Sequence, residues 1–204
     1  CKHFLEYPYK ERAEVKKIIM DLSTLFRSVA KTMFPEAKIV ADKFHVIRVV
    51  INSLENVRKR IQKEFHATKR KWFKRSRYLL LKPEYKLTDE DKTELARMLN
   101  SSYDLEKAYV LKERFYEVFR KQTRTEAKKE LGNWLLLAAD LSLPEFRHCI
   151  TTFSNWKTEI ANIIDERVSN GFIEGSNNKI KVLKRISYGV RNFDRFRNRI
   201  LYLE

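Results

Sequence analysis

The chain has 204 residues, with 43 Lys and Arg against 27 Asp and Glu, which gives a formal net charge of +16. Its 43% hydrophobic and 12% aromatic residues exclude a disordered chain, it contains no apolar run near the ~20 residues of a membrane span, and its two cysteines are too few for a disulfide framework. The positive charge favours a polyanionic partner, and nucleic acid is the first candidate.

The opening of the chain is typical of a strand–helix–strand unit. A β-favourable run over 15–20 ends at Asp21, a helical pattern follows over 22–33, and a second short strand over 38–41 ends at Asp42. A crossover of this length predicts parallel strands. Both aspartates should then lie at the carboxyl edge, where open α/β sheets place their ligands. Taken alone, an aspartate after a strand is more often a turn or helix-cap residue.

From His45 onward the hydrophobic period is helical, and we expect residues 47–168 to form one all-helical layer. Three apolar stripes define its buried faces: Val46, Val49, Val50, Leu54, Val57 and Ile61; Leu105, Ala108, Tyr109, Phe115 and Phe119; and Phe153, Trp156, Ile160, Ile163 and Ile164. Further helices are expected over about 173–185 and 192–203.

The strongest local signal is the segment 169–181, with the sequence SNGFIEGSNNKIK. If it is helical, four polar residues share one face: Glu174, Asn177, Asn178 and Lys181. A carboxylate, two amides and an ammonium suit a divalent metal ion and a phosphate, because hard cations take carboxylate oxygens and phosphate completes the shell. An ordinary solvated first turn, with a glutamate favoured by the helix dipole, explains the pattern about equally well.

Positive charge is concentrated in two segments. Residues 58–86 hold twelve Lys or Arg against two Glu, and the interleaved Trp72 and Phe73 favour nucleic-acid binding over a solvated helix face. The candidate contacts there are Lys69, Arg70, Lys71, Lys74, Arg75 and Arg77. The closing stretch 191–199 has the same basic and aromatic character, although we expect Phe193, Phe196 and Ile200 to pack rather than to stack on bases.

The chain resembles the catalytic part of bacterial insertion-sequence transposases of the ISL3 family, within the D-D-E enzymes. The resemblance covers nearly the whole chain. Its most specific blocks are VKKIIMDLSTLFRSVAKTMFPEAKIVADKFHVIR and NGFIEGSNNKIKVLKRISYGVRNFDRFRNRI, and RYLLLK and LEKAYVLKERF support it.

The resemblance implies a mainly α chain with a small α/β part, which is a partial ribonuclease-H-like fold carrying an all-helical insertion. Residues 1–46 would supply late strands of the ribonuclease-H-like core. Residues 47–168 would form the helical insertion. Residues 169–204 would return to the core with the glutamate-bearing helix.

The resemblance also implies catalytic roles. Asp21 matches the second catalytic aspartate and Glu174 the catalytic glutamate, both as ligands of two Mg²⁺ or Mn²⁺ ions. Asp42 and His45 match a D-x-x-H signature, whose role we interpret as structural or DNA-positioning. Near the glutamate, plausible DNA contacts are Asn170, Asn178, Lys181, Lys184, Arg185, Tyr188 and Arg191. The implied reaction cleaves a phosphodiester at the transposon end and joins the freed 3′-hydroxyl to target DNA.

The expected partners are double-stranded DNA of the transposon ends and target, and further copies of the chain in a homodimer or higher oligomer. The expected location is the bacterial cytoplasm, associated with the nucleoid. The family's first aspartate lies on an earlier strand, but no aspartate precedes Asp21 here. We therefore expect this chain to be a fragment that is inactive alone. The alternatives are a non-catalytic DNA-binding or dimerisation module, a decayed transposase remnant and, more remotely, a helical RNA-binding protein.

Overall fold

The computed structural model describes residues 2–166 and 171–202, in two compact units that comprise 1–167 and 168–204. Most described residues are helical. The strands in this part of the chain form one two-stranded sheet. No helix among the described residues combines the length and apolarity needed to cross a membrane.

The sheet of the first unit is parallel. Strand β1 (Lys17–Met20) pairs with strand β2 (Lys38–Ala41) in the register Lys17 to Lys38 through Met20 to Ala41. Helix α3 (Thr24–Met33) makes the crossover and begins where the Ser23 hydroxyl accepts a hydrogen bond from the Phe26 N–H at 3.3 Å. The predicted strand–helix–strand unit and its parallel pairing are confirmed.

Helices fill the rest of the first unit. Before the sheet lie α1 (Lys2–Leu5) and α2 (Tyr9–Glu14). After it lie α4 (Lys43–Ile61), α5 (Ala67–Arg75), α6 (Arg77–Leu81), α7 (Asp89–Leu99), α8 (Tyr103–Tyr116), α9 (Arg124–Asp140), α10 (Arg147–Asn155) and α11 (Lys157–Glu166). Short 3₁₀ turns lie at Gln62–Glu64, Glu84–Lys86, Glu117–Arg120 and Pro144–Phe146.

The core lies between α4, α8, α9 and α11, and it contains the three predicted apolar stripes, of which only Val49, Phe119 and Ile164 are partly exposed. At its centre the Phe115 ring stacks on Phe153 at 5.1 Å and meets Trp134 edge-on at 5.0 Å. The indole N–H of Trp134 donates to the Leu111 carbonyl at 2.8 Å, so burial of the ring leaves no unpaired donor.

Helix α11 joins the sheet to the helical layer. The Asn162 side-chain amide donates to the Ile39 carbonyl at 2.7 Å and so satisfies a backbone group on the outer edge of β2. On the same helix, Asp165 pairs with Lys38 at 3.0 Å. Because α11 also packs along α9, the two strands are held against the helical core.

A charged side chain is buried in this core. Lys112 on α8 is 1% exposed, and its ammonium donates to the carbonyls of Leu80 at 2.9 Å and Lys82 at 2.7 Å, at the end of α6. Burial lowers the pKa of Lys112, although the neighbouring Glu113 carboxylate at 2.5 Å favours the charged form. The ammonium therefore satisfies carbonyls that the end of α6 leaves unpaired.

Replacement of this lysine should destabilise the fold. We expect Lys112→Ala to lower the free energy of unfolding by about 2–4 kcal/mol, because the buried Leu80 carbonyl and the partly buried Lys82 carbonyl lose their donor and a cavity remains. The matched control is Lys129→Ala, an exposed α9 lysine, which should change it by about 0.5 kcal/mol or less. Urea unfolding followed by circular dichroism measures both. Equal stability of the two variants would contradict the role of Lys112.

The second unit contains α12 (Gly171–Ile186) and α13 (Phe193–Leu201). The turn between them places Tyr188 and Gly189 at positive φ, 47° and 82°. The two helices confirm those predicted near 173–185 and 192–203. The mainly helical class with a small parallel sheet is also confirmed, whereas the ribonuclease-H-like assignment stays a prediction because two strands do not define that fold.

Candidate active site and nucleic-acid interface

Asp21 follows β1 at the carboxyl edge of the sheet, as predicted. Its carboxylate accepts one hydrogen bond, from the Ser23 N–H at 3.2 Å, and is otherwise exposed. It lies in an open pocket of about 400 Å³. The other lining residues are Leu22, Ser23, His45, Arg48, Val49 and Asn52. The carboxylate is therefore accessible to a ligand and has free oxygen acceptors.

Asp42 ends β2 and caps α4. Its backbone N–H extends the parallel ladder by donating to the Met20 carbonyl at 2.7 Å. The residue is 4% exposed. Its carboxylate accepts hydrogen bonds from the backbone N–H of His45 at 3.0 Å and from the His45 ring Nδ1 at 3.1 Å. The D-x-x-H pair thus fixes the start of α4 and the orientation of an imidazole that faces the Asp21 pocket.

Removal of the Asp42 cap should destabilise the junction between β2 and α4. We expect Asp42→Ala to lower the free energy of unfolding by about 1–2 kcal/mol, because the His45 N–H loses its acceptor. Asp42→Asn should lose less, since asparagine caps helices about as well as aspartate. Denaturant unfolding of the three proteins tests this order. An asparagine variant as unstable as the alanine variant would show that the cap is not the stabilising contact.

The chemistry of Asp21 suits a hard divalent cation, which binds carboxylate oxygens. Among residues 2–166 and 171–202, no group of three or more His, Cys, Asp or Glu side chains lies close enough together to hold a metal ion. The described side chains therefore supply a single accessible carboxylate in this pocket and not a complete metal site.

The basic segment 58–86 is divided by the fold into structural and free charges. Arg58 is buried and donates to both oxygens of Glu55, at 2.8 and 3.2 Å. Arg60 donates to Glu145 at 2.6 Å and to Asp104 at 2.9 Å, and these hydrogen bonds raise the pKa of its guanidinium. Because both arginines are engaged in contacts within the fold, they contribute little to a nucleic-acid surface.

The six predicted contacts on and just after α5 are all exposed: Lys69, Arg70, Lys71, Lys74, Arg75 and Arg77. Arg70 donates to the carbonyls of Gln62 at 3.1 Å and Lys63 at 3.0 Å, and the Lys69 ammonium lies 4.0 Å from the Phe65 ring centre. The other four make no hydrogen bond or ion pair within the part of the chain that the structure describes. They form the α5 patch: Lys71, Lys74, Arg75 and Arg77.

The aromatic residues of this segment do not form a stacking surface. Phe73 is fully buried, and Trp72 is half-buried with its indole N–H donating to Glu94. The two rings therefore do not support nucleic-acid binding by this segment as the sequence analysis expected, because the hydrophobic core recruits them. The α5 patch presents charge alone.

Glu174 lies on α12, but its side chain is outside the described residues, and Asn170 is wholly outside them. The predicted contacts Asn178, Lys181, Lys184 and Arg185 are exposed, and within the described part of the chain they make no hydrogen bond or ion pair through their side chains. Helical spacing places Asn178, Lys181 and Arg185 on the same face of α12 as position 174.

Arg191 lines an open groove of about 700 Å³ beside α13, together with Val190, Asn192, Arg195, Asn198, Arg199 and Tyr202. The sequence analysis placed Arg195 and Arg199 in the basic stretch 191–199 but singled out only Arg191 as a contact, although the spacing of four residues was a signal for one helix face. Phe193 is 73% exposed, whereas Phe196 and Ile200 are partly buried, so the expectation of packing is contradicted at Phe193 alone.

Arg48 and Asn52 were also missed. They lie on α4, three and seven residues after His45, and line the pocket of Asp21. This spacing puts them on the His45 face and was readable from the sequence once α4 was assigned.

The model of a transposase family matches residues 1–200. The chain therefore belongs to the ISL3 family of transposases, and the predicted resemblance is confirmed.

Two curated relatives agree with this family. The chain is 27% identical over 203 residues to the transposase for insertion sequence element IS1557 of Mycobacterium tuberculosis, with 88% of this chain and 46% of that protein covered. It is 25% identical over 197 residues to the transposase for insertion sequence element IS1001 of Bordetella parapertussis, with 95% and 48% covered. The chain spans about half the length of these relatives.

A shorter similarity involves a protein of Lactococcus lactis named as an ATP-dependent protease. It is 36% identical over 94 residues, with 46% of this chain and 26% of that protein covered. This partial match defines no family for the chain. No solved structure matches the chain significantly.

Proposed function

We propose that this chain is part of the catalytic region of a DDE-type DNA transposase that cleaves and joins DNA strands at transposon ends. The observation that carries the proposal is the exposed carboxylate of Asp21 at the end of β1, in a pocket with His45 and Arg48, within a chain of the ISL3 family. In this proposal the partial ribonuclease-H-like segment is 1–46, the helical insertion is 47–168, and the return to the core is 169–204.

Asp21 and Glu174 are the proposed catalytic carboxylates and metal ligands. A divalent ion such as Mg²⁺ or Mn²⁺ would activate the attacking oxygen and stabilise the leaving oxygen of a phosphodiester, and the complete site would hold two ions. The third carboxylate, the family's first aspartate, would come from an upstream strand of a longer protein. The chain's coverage of about half of its relatives' length is compatible with this arrangement.

The chain's own residues have separate proposed tasks. Asp42 holds the imidazole of His45 toward the pocket. The exposed lysine and arginine side chains of the α5 patch, α12 and the α13 groove neutralise phosphates of the bound duplex. The substrate is double-stranded DNA. The active species is a homodimer or higher oligomer on that DNA, located in the bacterial cytoplasm with the nucleoid.

The main competing function is a DNA-binding or dimerisation module without catalysis, which includes a decayed remnant of a transposase. The closely spaced, exposed lysine and arginine side chains of α5 favour this binding module as strongly as they favour a transposase, because such side chains need only phosphates as partners. The transposase cleaves DNA and needs a divalent ion and the two carboxylates to do so, whereas the binding module binds DNA without cleaving it and needs neither.

Neutral variants of the two carboxylates separate these functions. In the transposase that contains this chain, Glu174→Gln and Asp21→Asn should each reduce Mg²⁺- or Mn²⁺-dependent cleavage of a labelled transposon end to background, because each removes a proposed metal ligand. DNA binding should be retained. The measurements are gel analysis of cleavage products and a binding assay on the same preparations.

The matched controls are Glu106→Gln and Asp140→Asn, two exposed carboxylates on other helices. They should leave cleavage unchanged. Metal-dependent cleavage by either active-site variant would refute its assignment. A wild-type protein that binds DNA without cleaving it under any divalent ion would favour the binding module.

The α5 patch should contribute to the salt dependence of binding. We expect the triple variant Lys71→Ala, Lys74→Ala and Arg75→Ala to bind a labelled duplex more weakly. The log–log salt slope should become shallower by about 0.9 for each phosphate that the variant no longer neutralises. Fluorescence anisotropy between about 50 and 200 mM salt measures both. An unchanged salt slope would contradict the role of the α5 patch in binding phosphates. Stronger binding of RNA than of duplex DNA would favour an RNA-binding protein.

A further inference from the structure

The exposed face of α4 has an unusual composition. Five of its residues recur at steps of three or four and so share one strip: His45, Arg48, Asn52, Asn56 and Lys59. We call this surface the α4 strip. The opposite face of the same helix carries the buried apolar residues, so the orientation of α4 is fixed by the core.

The two cationic residues of the α4 strip, Arg48 and Lys59, have no ion-pair partner among the described residues. The single acidic residue of α4, Glu55, is buried and paired with Arg58. Arg60 is engaged by two carboxylates from other helices. In contrast, the side chains of Arg48 and Lys59 make no hydrogen bond or ion pair within the described residues. An ordinary solvated helix face carries charges of both signs, and this one does not.

Asn52 and Asn56 lie in the middle of the exposed face and have no hydrogen-bonded partner among the described residues. Asparagine is less favourable in helix interiors than alanine, lysine or glutamate, because its side chain competes for hydrogen bonds with nearby backbone groups. These two amides therefore do not serve the stability of α4. Side-chain amides donate to phosphate oxygens in protein–DNA contacts.

The α4 strip connects two regions that have already been described. At one end His45, Arg48 and Asn52 line the pocket of Asp21. At the other end Lys59 lies one turn before the segment that leads to the α5 patch. Fourteen residues of helix separate His45 from Lys59, which is about 21 Å and long enough for several successive phosphates.

We infer that the α4 strip binds the phosphodiester backbone of the DNA strand that enters the Asp21 pocket, and that Arg48 anchors the phosphate beside Asp21. The inference rests on the proposed function and adds a defined path for the strand. Arg48 is suited to this task because a guanidinium can donate two parallel hydrogen bonds to one phosphate. His45, whose Nδ1 is held by Asp42, leaves Nε2 for the same strand. Both are positioning residues.

The first test uses the double variant Arg48→Ala and Lys59→Ala. Both side chains are exposed and without partners in the described structure, so folding should be unaffected, as a melting curve can verify. For a labelled DNA duplex, we expect weaker binding and a log–log salt slope that is shallower by about 1.8, since two phosphates are no longer neutralised. The matched control is Lys128→Ala with Lys129→Ala, two exposed lysines on α9, which should not change the slope.

A second test reports position. A photoreactive group attached to Asn52→Cys should crosslink to the duplex on irradiation, whereas the same group on Lys129→Cys should not. Both variants carry Cys1→Ser and serine at any cysteine outside residues 1–204. Cys149 is fully buried with its thiol pKa raised to about 11 by burial, which makes it unreactive at neutral pH.

The outcomes distinguish this inference from the proposed function. Suppose that the double variant has the same salt slope as its lysine control, and that the group at position 52 crosslinks no more than the group at position 129. If the wild type nevertheless binds and cleaves duplex DNA, the path along α4 is wrong and the transposase function stands. If the wild type binds no DNA duplex, both are overturned. A shallower salt slope of the double variant, together with a crosslink from position 52 and none from position 129, supports binding of the DNA strand by the α4 strip.

Discussion

Asp42 is the constraint on which the site geometry depends. Its N–H closes the parallel ladder on Met20, and its buried carboxylate accepts two hydrogen bonds from His45. The end of β2 and the start of α4 are therefore fixed by one residue, and the polar face of α4 is directed to the end of β1. The sequence favours a structural or DNA-positioning role for Asp42, and its hydrogen bonds at the start of α4 are those of a helix cap.

The fold sorts its charges into two populations. Arg58 is paired with Glu55 within α4, whereas Arg60 and Lys112 bind carboxylates or carbonyls of other segments and so fix helices to one another. The exposed lysine and arginine side chains of the α5 patch have no such partners in the described part of the chain. A net charge of +16 is therefore an incomplete guide to the interface, and the useful quantity is the charge that the fold leaves uncompensated.

Periodicity predicted the secondary structure well, because the strand run before Asp21 and the stripe from Val46 to Ile61 have the periods of a strand and a helix. It also placed Asp21 and Asp42 at the correct edge. It did not predict the fate of Trp72 and Phe73, since a core recruits aromatic rings from any segment that reaches it. Nor did it predict Arg48, whose importance depends on a neighbour 27 positions earlier in the chain that only the folded sheet brings close.

The central claim is that Asp21 and Glu174 bind metal at one site. Iron-mediated cleavage of the protein tests it most directly in the transposase that contains this chain. Fe²⁺ bound in place of Mg²⁺, with ascorbate and peroxide, produces radicals that cut the backbone near its ligands, and mass spectrometry locates the cuts. The account predicts cuts near residues 21 and 174 that excess Mg²⁺ suppresses together. Cuts near one residue alone, or at neither, would contradict it.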